Sequence, residues 1–303
     1  STSAAVREAM ATELGYDRDL WNRVCTELYW PAMHIPEAYV GMCLGYVELV
    51  ATLEQMGRYL FCSPFFSTVC LGVNALLVAG NEEQKSVWLP QIIEGKTATL
   101  AYTGAGGTWG LDAVEGICES DGDGDGYRLT GRWRYVPDGH SADVIVLAAR
   151  APDTSGAHGI SLFVLPADSP GVSRSWLPTI DQTRKQGELV LENVAVAADA
   201  LLGEFGEGAA ALQTVIDLAT VAVAADQVGV AQQSLDSAVS YMQERVQFGR
   251  VIASYQALKH KAADMMLKAE AARSAAYYAA CVADESLAGS ALGDEFPEAA
   301  SIA

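Results

Sequence analysis

Five short β-like runs between residues 100 and 203 constrain this chain more than any other feature. They are Tyr127–Thr130, Trp133–Val136, Asp143–Leu147, Gly159–Leu165 and Glu188–Leu191. Asp-Gly pairs, Pro137-Asp-Gly-His140 and Ala167-Asp-Ser-Pro-Gly171 separate them. Those residues favour turns, because Gly and Asp tolerate left-handed backbone and Pro presets φ. Runs this closely spaced leave no room for crossover helices, so the pattern predicts a mainly antiparallel sheet, a barrel or a sandwich.

Helical periodicity flanks that region on both sides. Val47, Val50, Leu53 and Met56 recur at helix spacing across Tyr46–Leu60. Asn81 followed by Glu82-Glu83-Gln84 reads as an N-cap with acids in the first turn, and Gly95 reads as the stop. From Glu207 onward Leu212, Val215, Ile216, Ala219 and Val223 mark one helix face, which continues to about Tyr241. A second helix runs from about Tyr255 to Cys281, and a third begins at Pro297, where proline suits the first turn. The expectation is a multidomain α+β chain. It has an N-terminal helical domain (1–99), a middle antiparallel β-barrel or sandwich (100–203) and a C-terminal helical bundle (204–303), the last incomplete or partly unordered.

Composition narrows the function classes. The 303 residues carry 19 Lys+Arg against 38 Asp+Glu, a net charge of −19, which disfavours nucleic acid and anionic membrane surfaces. Half the residues are apolar, so a large core is expected rather than disorder. The first twenty residues hold Arg7, Glu8, Glu13, Asp17, Arg18 and Asp19, which do not read as a signal peptide. No uninterrupted apolar stretch reads as a membrane span. Six cysteines without a C-x-x-C pair suggest reduced thiols. The expected location is the cytoplasm.

The obvious motifs favour bland readings. Asp121-Gly-Asp-Gly-Asp-Gly126 has Arg132 where a calcium loop needs its bidentate Glu, and it sits between β runs, so it reads as a hairpin turn. Thr103-Gly-Ala-Gly-Gly-Thr-Trp-Gly110 is followed by β-like sequence rather than a helix, so it is not a Rossmann fingerprint. Its glycines would still let backbone approach a ligand. His34, His140, His158 and His260 show no metal-ligand spacing, and no metal is expected. Between the two long C-terminal helices, Arg245 offers a planar fork for a pyrophosphate, Gly249 permits a break and Phe248 can cover an aromatic ring. Arg128, Arg132, Arg134, Arg184 and Lys185 are candidate basic contacts on the β domain.

Gln243–Asp264 closely resembles the second signature of the acyl-CoA dehydrogenase family, R-x-Q-F-G followed by Q and a K/H-x-x-A-D-M ending. The likeness extends in order over nearly the whole chain. Pro36-Glu-Ala-Tyr39 resembles P-E-x-Y-G-G, and Gly80–Gly95 resembles the G-x-x-x-Q-K-x-x-x-L-P segment. Tyr127–Tyr135 resembles the Y-x-L-x-G-x-K-x-W pair, and Leu162-Phe-Val-Leu-Pro166 with Pro170-Gly-Val172 resembles L-F-x-V-P…P-G-V. The helical–β–helical order is that family's.

The resemblance implies FAD, a CoA thioester and oxidation of its Cα–Cβ bond. A carboxylate takes the α-proton and hydride leaves Cβ for the flavin. Against the flavin loop T-E-P-x-x-G-S, Thr103 is kept, but Gly104-Ala105 replace Glu-Pro and Thr108-Trp109 replace Gly-Ser. The indole is expected to occupy space the cofactor needs. In place of W-I-T stand Tyr135, Val136 and Pro137, and the alternative base position is Ala219, so no catalytic residue is identified. The more usual glutamate would lie beyond Ala303.

Arg245, Gln247 and Phe248 are intact, and in the family they reach a neighbour's FAD; Thr103 and Tyr135 complete the expected cofactor contacts. Such half-retained machinery, with Asp181-Gln-Thr-Arg184, resembles degenerate subunits of heteromeric bacterial members, some acting on bulky or steroid side-chain acyl-CoAs. The leading expectation is a non-catalytic partner in a heterodimer or heterotetramer, with an acyl-CoA substrate and electron-transfer flavoprotein as acceptor. The alternatives are a self-sufficient dehydrogenase with a later glutamate, and a flavin-free CoA-thioester-binding or scaffold relative.

Overall fold

In the computed structural model residues 2–122 and 126–303 are described, and packing divides them into two compact units. One comprises residues 4–44 and 62–216; the other comprises residues up to 3, 45–61 and 217–303. Along the chain the first helices are α1 (Ser3–Ala11), α2 (Arg18–Thr26), α3 (Tyr46–Arg58), α4 (Asn74–Ala79) and α5 (Glu82–Ile93). A π-helical stretch, Phe66–Val73, leads into α4. The strands follow: β1 (Ala98–Ala101), β2 (Ile117–Ser120), β3 (Gly126–Pro137), β4 (Val144–Arg150), β5 (Ile160–Pro166), β6 (Val172–Leu177), β7 (Gln186–Ala197) and β8 (Leu201–Leu202). Then come α6 (Ala209–Glu244), the short β9 (Val246–Gln247) and β10 (Arg250–Val251), α7 (Gln256–Leu287) and α8 (Phe296–Ile302).

Local chemistry sets the helix ends. Asp17 accepts the N–H groups of Asp19 and Leu20 at the start of α2. At α5, Asn81 and Gln84 form a reciprocal capping box, as their spacing predicts, and Gln84 Nε2 also donates to the carbonyls of Asp199 and Leu201. One side-chain amide thus caps a helix and ties it to the rim of the sheet.

The eight strands form one mixed sheet in the order β6-β7-β3-β2-β4-β5-β8, with β1 added on β4. Most pairs are antiparallel; β1 and β2 meet β4 in parallel. Trp133, Leu129, Ile145, Leu147, Phe163, Leu189 and Leu191 fill its core. Two expected strands, Tyr127–Thr130 and Trp133–Val136, are a single strand, β3, whose pairing with β7 shifts register after Leu129 and again after Trp133. Those shifts re-aim the chain without breaking it, which an apolar pattern does not reveal. β6 escapes the pattern because it is an edge strand with a largely exposed sequence, Val-Ser-Arg-Ser-Trp-Leu. β2 and β3 pair as a hairpin, while residues 123–125 of its proposed turn lie outside the described residues.

In the other unit, α3 lies against α6 and α7. Asp284 of α7 accepts the Tyr46 N–H at 2.6 Å, capping α3 from a neighbouring helix. Glu54, nearly buried, accepts from Arg273 Nε at 3.0 Å and the Tyr277 hydroxyl at 3.1 Å, while Arg273 also reaches Gln232. These bonds satisfy a carboxylate that burial would otherwise penalise. The 36-residue α6 is long and apolar enough to cross a membrane by length and composition, contrary to the expectation from its sequence. Leu218, Val221, Ala222, Ala225 and Val228 on α6 are buried, as on the core helix of a bundle.

Candidate functional site

Two groups of expected contact residues fall in different units. In the sheet-bearing unit, Thr103 follows β1 and is buried. Its hydroxyl donates to the Arg134 carbonyl, and its own carbonyl accepts the Arg134 N–H at 3.0 Å. Both polar groups of Thr103 are therefore engaged with β3. Tyr135 follows directly, in left-handed backbone (φ 56°) at the second register shift of β3. Its ring lies over Gly107, where an added Cβ would be 2.8 Å from the ring edge.

The glycine run holds a carboxylate of its own chain. Ala105 N–H donates to Glu115 Oε2 at 3.0 Å, and a side chain at Gly104 would run into the Glu115 carboxyl group. The Trp109 indole is 61% exposed and meets Tyr102 edge-on at 6.4 Å. Glu115 and Tyr135 are the side chains that lie against the loop glycines. Glu115 was missed in the sequence, where its only signal is a carboxylate ten residues after Ala105.

Just past Pro137, whose carbonyl accepts from Thr99, Asp138 is buried and accepts the Ser67 hydroxyl at 2.6 Å. Burial pushes its carboxyl up to about 6, against the opposing pull of Ser67 and Arg184. Relative to an unfolded carboxyl near 3.8, the folded form holds an extra proton between about pH 4 and 6. The contribution of Asp138 to stability is therefore full below that window and is lost as pH rises through it. His34 acts in the opposite sense, because burial lowers it to about 4 and its contribution is lost as pH falls from 6.5. We expect Asp138→Asn to raise stability at pH 7.5 by about 2 kcal/mol. Between pH 4 and 6 the variant's denaturant midpoint should rise more steeply with pH than that of the parent; equal slopes would contradict this account.

In the other unit, Arg245, Gln247 and Phe248 lie on the β9–β10 hairpin that breaks α6 from α7. Phe248 (φ 52°) and Gly249 (φ 79°) form its turn, both left-handed, a conformation Gly takes without steric cost. The Ile252 N–H donates to the Arg245 carbonyl at 2.8 Å, and the Tyr255 hydroxyl to the Gln247 carbonyl at 3.0 Å. Arg250 stacks on the Tyr255 ring at 4.1 Å. The hairpin is thus braced from behind, while Phe248 is 93% exposed and Arg245 and Gln247 are exposed beside it. Among the described residues the Arg245 side chain has no ion-pair partner. Ala219, on α6, is buried and offers no base.

The candidate basic contacts are occupied. Arg128 pairs with Asp121 at 3.3 Å, and Arg134 and Arg132 share Glu188 at 3.0 and 3.9 Å. Arg184 lies over Phe66, and Lys185 is buried with its ammonium over Trp176. Each of the five thus has a neighbour within the sheet-bearing unit. Among the described residues no His, Cys, Asp and Glu cluster could hold a metal, and all six cysteines are free.

One unit holds the mixed sheet and the other the exposed arginine–glutamine–phenylalanine hairpin, and two family models match the chain. Residues 2–96 match the family model of the acyl-CoA dehydrogenase N-terminal domain and residues 206–295 that of the C-terminal domain. The chain belongs to the acyl-CoA dehydrogenase family. It is 32% identical over 251 residues to the mitochondrial 2-methylacyl-CoA dehydrogenase of Solanum tuberosum, an alignment covering 80% of this chain and 60% of the relative. The chain therefore spans about 60% of the length of such a relative. Butyryl-CoA dehydrogenase from Megasphaera elsdenii superposes with a TM-score of 0.86 at 26% identity, over 99% of this chain and 80% of that one. The Tcur3481-Tcur3483 steroid ACAD superposes at 0.78 with 29% identity, over 99% and 81%. The acyl-CoA dehydrogenase of Bacillus anthracis, solved in complex with FAD, superposes at 0.84 with 25% identity, over 99% and 53%.

The chain's own glycine loop does not fit the phosphates of that cofactor. Its amide at Ala105 is already bonded to a carboxylate, and Tyr135 covers Gly107.

Proposed function

We propose that this chain is the non-catalytic subunit of a heteromeric FAD-dependent acyl-CoA dehydrogenase. Its role is to lend Arg245, Gln247 and Phe248 to the FAD of a homologous subunit. FAD supplies the hydride acceptor for α,β-dehydrogenation of a CoA thioester. This chain supplies position and charge: the Arg245 guanidinium for a pyrophosphate and the Phe248 ring for an aromatic face. One contrast carries the reading: the hairpin is braced and exposed, while the chain's own loop is filled by Glu115.

The likeness to a steroid ACAD supports a bulky or steroid side-chain acyl-CoA as substrate, with electron-transfer flavoprotein as electron acceptor. The reading includes a cytoplasmic heterodimer or heterotetramer, and six free thiols suit a reducing compartment. A second reading has one observation in its favour: relatives are longer than this chain, so a self-sufficient enzyme would carry its base outside these residues.

Co-expression with a homologous partner tests the proposal. FAD is expected in the assembly and not in this chain alone. Arg245→Ala in this chain should lower the assembly's FAD affinity at least about tenfold, as loss of a charge-assisted phosphate contact would, with the subunits still co-eluting. Stoichiometric FAD and dehydrogenase activity in the lone, complete chain would refute the proposal and favour the second reading.

A further inference from the structure

We infer that Glu115 is an internal anion plug: its carboxylate occupies the backbone seat at residues 104–106 and so denies phosphate groups the glycine loop of this chain. The inference rests on the subunit reading and supplies a cause for the empty half of it. The carboxylate accepts the Ala105 N–H at 3.0 Å, sits against the Cα of Gly104, and has Oε1 3.9 Å from where a Cβ on Gly106 would be. The Gly107 N–H turns back to the Gly104 carbonyl at 3.2 Å, closing the loop around it. A backbone N–H presented by a glycine-rich turn suits an anion, and here the anion is covalently part of the chain. A phosphate would meet an engaged donor and a like charge.

Glycine at 104 leaves room for the Glu115 carboxyl where it lies, and a Cβ there would displace that side chain. The position of Glu115 is set from behind by Arg150, which is 6% exposed. Its guanidinium donates to the carbonyls of Val114, Leu111 and Gly156, and its backbone N–H donates to the Gly116 carbonyl at 2.8 Å. Gly116 itself packs on the Trp133 ring. The segment carrying Glu115 is thus held by a buried cation on one side and a buried indole on the other. Arg150 is a positioning residue for the plug.

The test uses the full chain with ADP and inorganic pyrophosphate as probes, read by calorimetry. Wild type should bind ADP more weakly than about 1 mM, and Glu115→Ala at least about tenfold more tightly, with an affinity that falls as salt is added. Glu115→Gln, which keeps the shape and removes the charge, should fall between them. Glu115 is exposed, so neither variant empties the core, and unchanged thermal unfolding confirms this. If neither variant binds ADP or pyrophosphate better than wild type, the plug is refuted while the hairpin test of the subunit reading stands. If wild type itself takes up FAD, both fail together.

Discussion

Truncating Trp133 to alanine is expected to destabilise the sheet-bearing unit by about 4 kcal/mol, the largest loss from any single core side chain here. The indole is fully buried, and its Nε1 donates to the Ala148 carbonyl at 2.9 Å, joining β3 to β4. Gly116 and Gly131 press directly on its ring, so the cavity left behind is walled by backbone. Backbone held in a sheet collapses poorly, which puts the site toward the costly end of large-to-small changes. The variant also removes the indole donor from the buried Ala148 carbonyl, adding to the loss. Denaturant midpoints followed by a probe in the sheet-bearing unit would measure it, and a loss below about 1 kcal/mol would contradict this packing account. Since Gly116 adjoins Glu115, the variant should also loosen the glycine loop.

Gly229→Ala is the second large effect, and here local and tertiary rules predict opposite signs. Within a helix, alanine is favoured over glycine by about 1 kcal/mol, so α6 alone would gain. In the folded unit a Cβ at 229 would land on the Glu54 carbonyl of α3 and lie 2.7 Å from the Arg58 nitrogen. Gly57 of α3 repeats the contact in reverse, with the Asp226 carbonyl in the place of its missing side chain. Two glycines let two backbones touch, and neither contact can be relieved by a rotamer. We expect a net loss of about 3 kcal/mol, larger for Gly229→Val, with α3 displaced from α6. A midpoint at or above that of the parent would show that α3 can move away freely, contrary to this view.

Much of the fold was legible because it is written in periodicity. Helices α3, α5 and α6 were each anticipated within a few residues, and α7 at its start, though it runs on from Cys281 to Leu287. β4 and β5 were visible because each is a run of almost wholly buried residues, and β7 through its buried and half-buried first half. The misses have a different character. β1 is only four residues long and directly follows a helix, and β6 is polar because an edge strand faces solvent. The continuity of β3 depends on two register shifts against β7, a partner about sixty residues away.

The hairpin at 245–251 was legible as a candidate contact, since Arg, Gln and Phe around a glycine break suggest an aromatic phosphate ligand. Family membership, and hence FAD as the cofactor of the relatives, follows from segments readable in linear order. The state of the chain's own loop was half legible. Gly104, Ala105 and Trp109 showed that the loop departs from the family pattern. What spacing did not show is Glu115, which contacts the loop across a ten-residue segment strapped down by Arg150.

The sequence by itself determined the order helical, β, helical, the family, the absence of a base at position 219 and the survival of Arg245, Gln247 and Phe248. Each of these is a matter of residue identity and short-range spacing. The tertiary structure decided which charges are spent and which side chains are free. It pairs Arg134 with Glu188, sets Glu115 into the glycine loop and leaves Phe248 in solvent. Whether a charge or a ring is available depends on what lies within a few ångströms in space, and those neighbours come from strands and helices far apart along the chain.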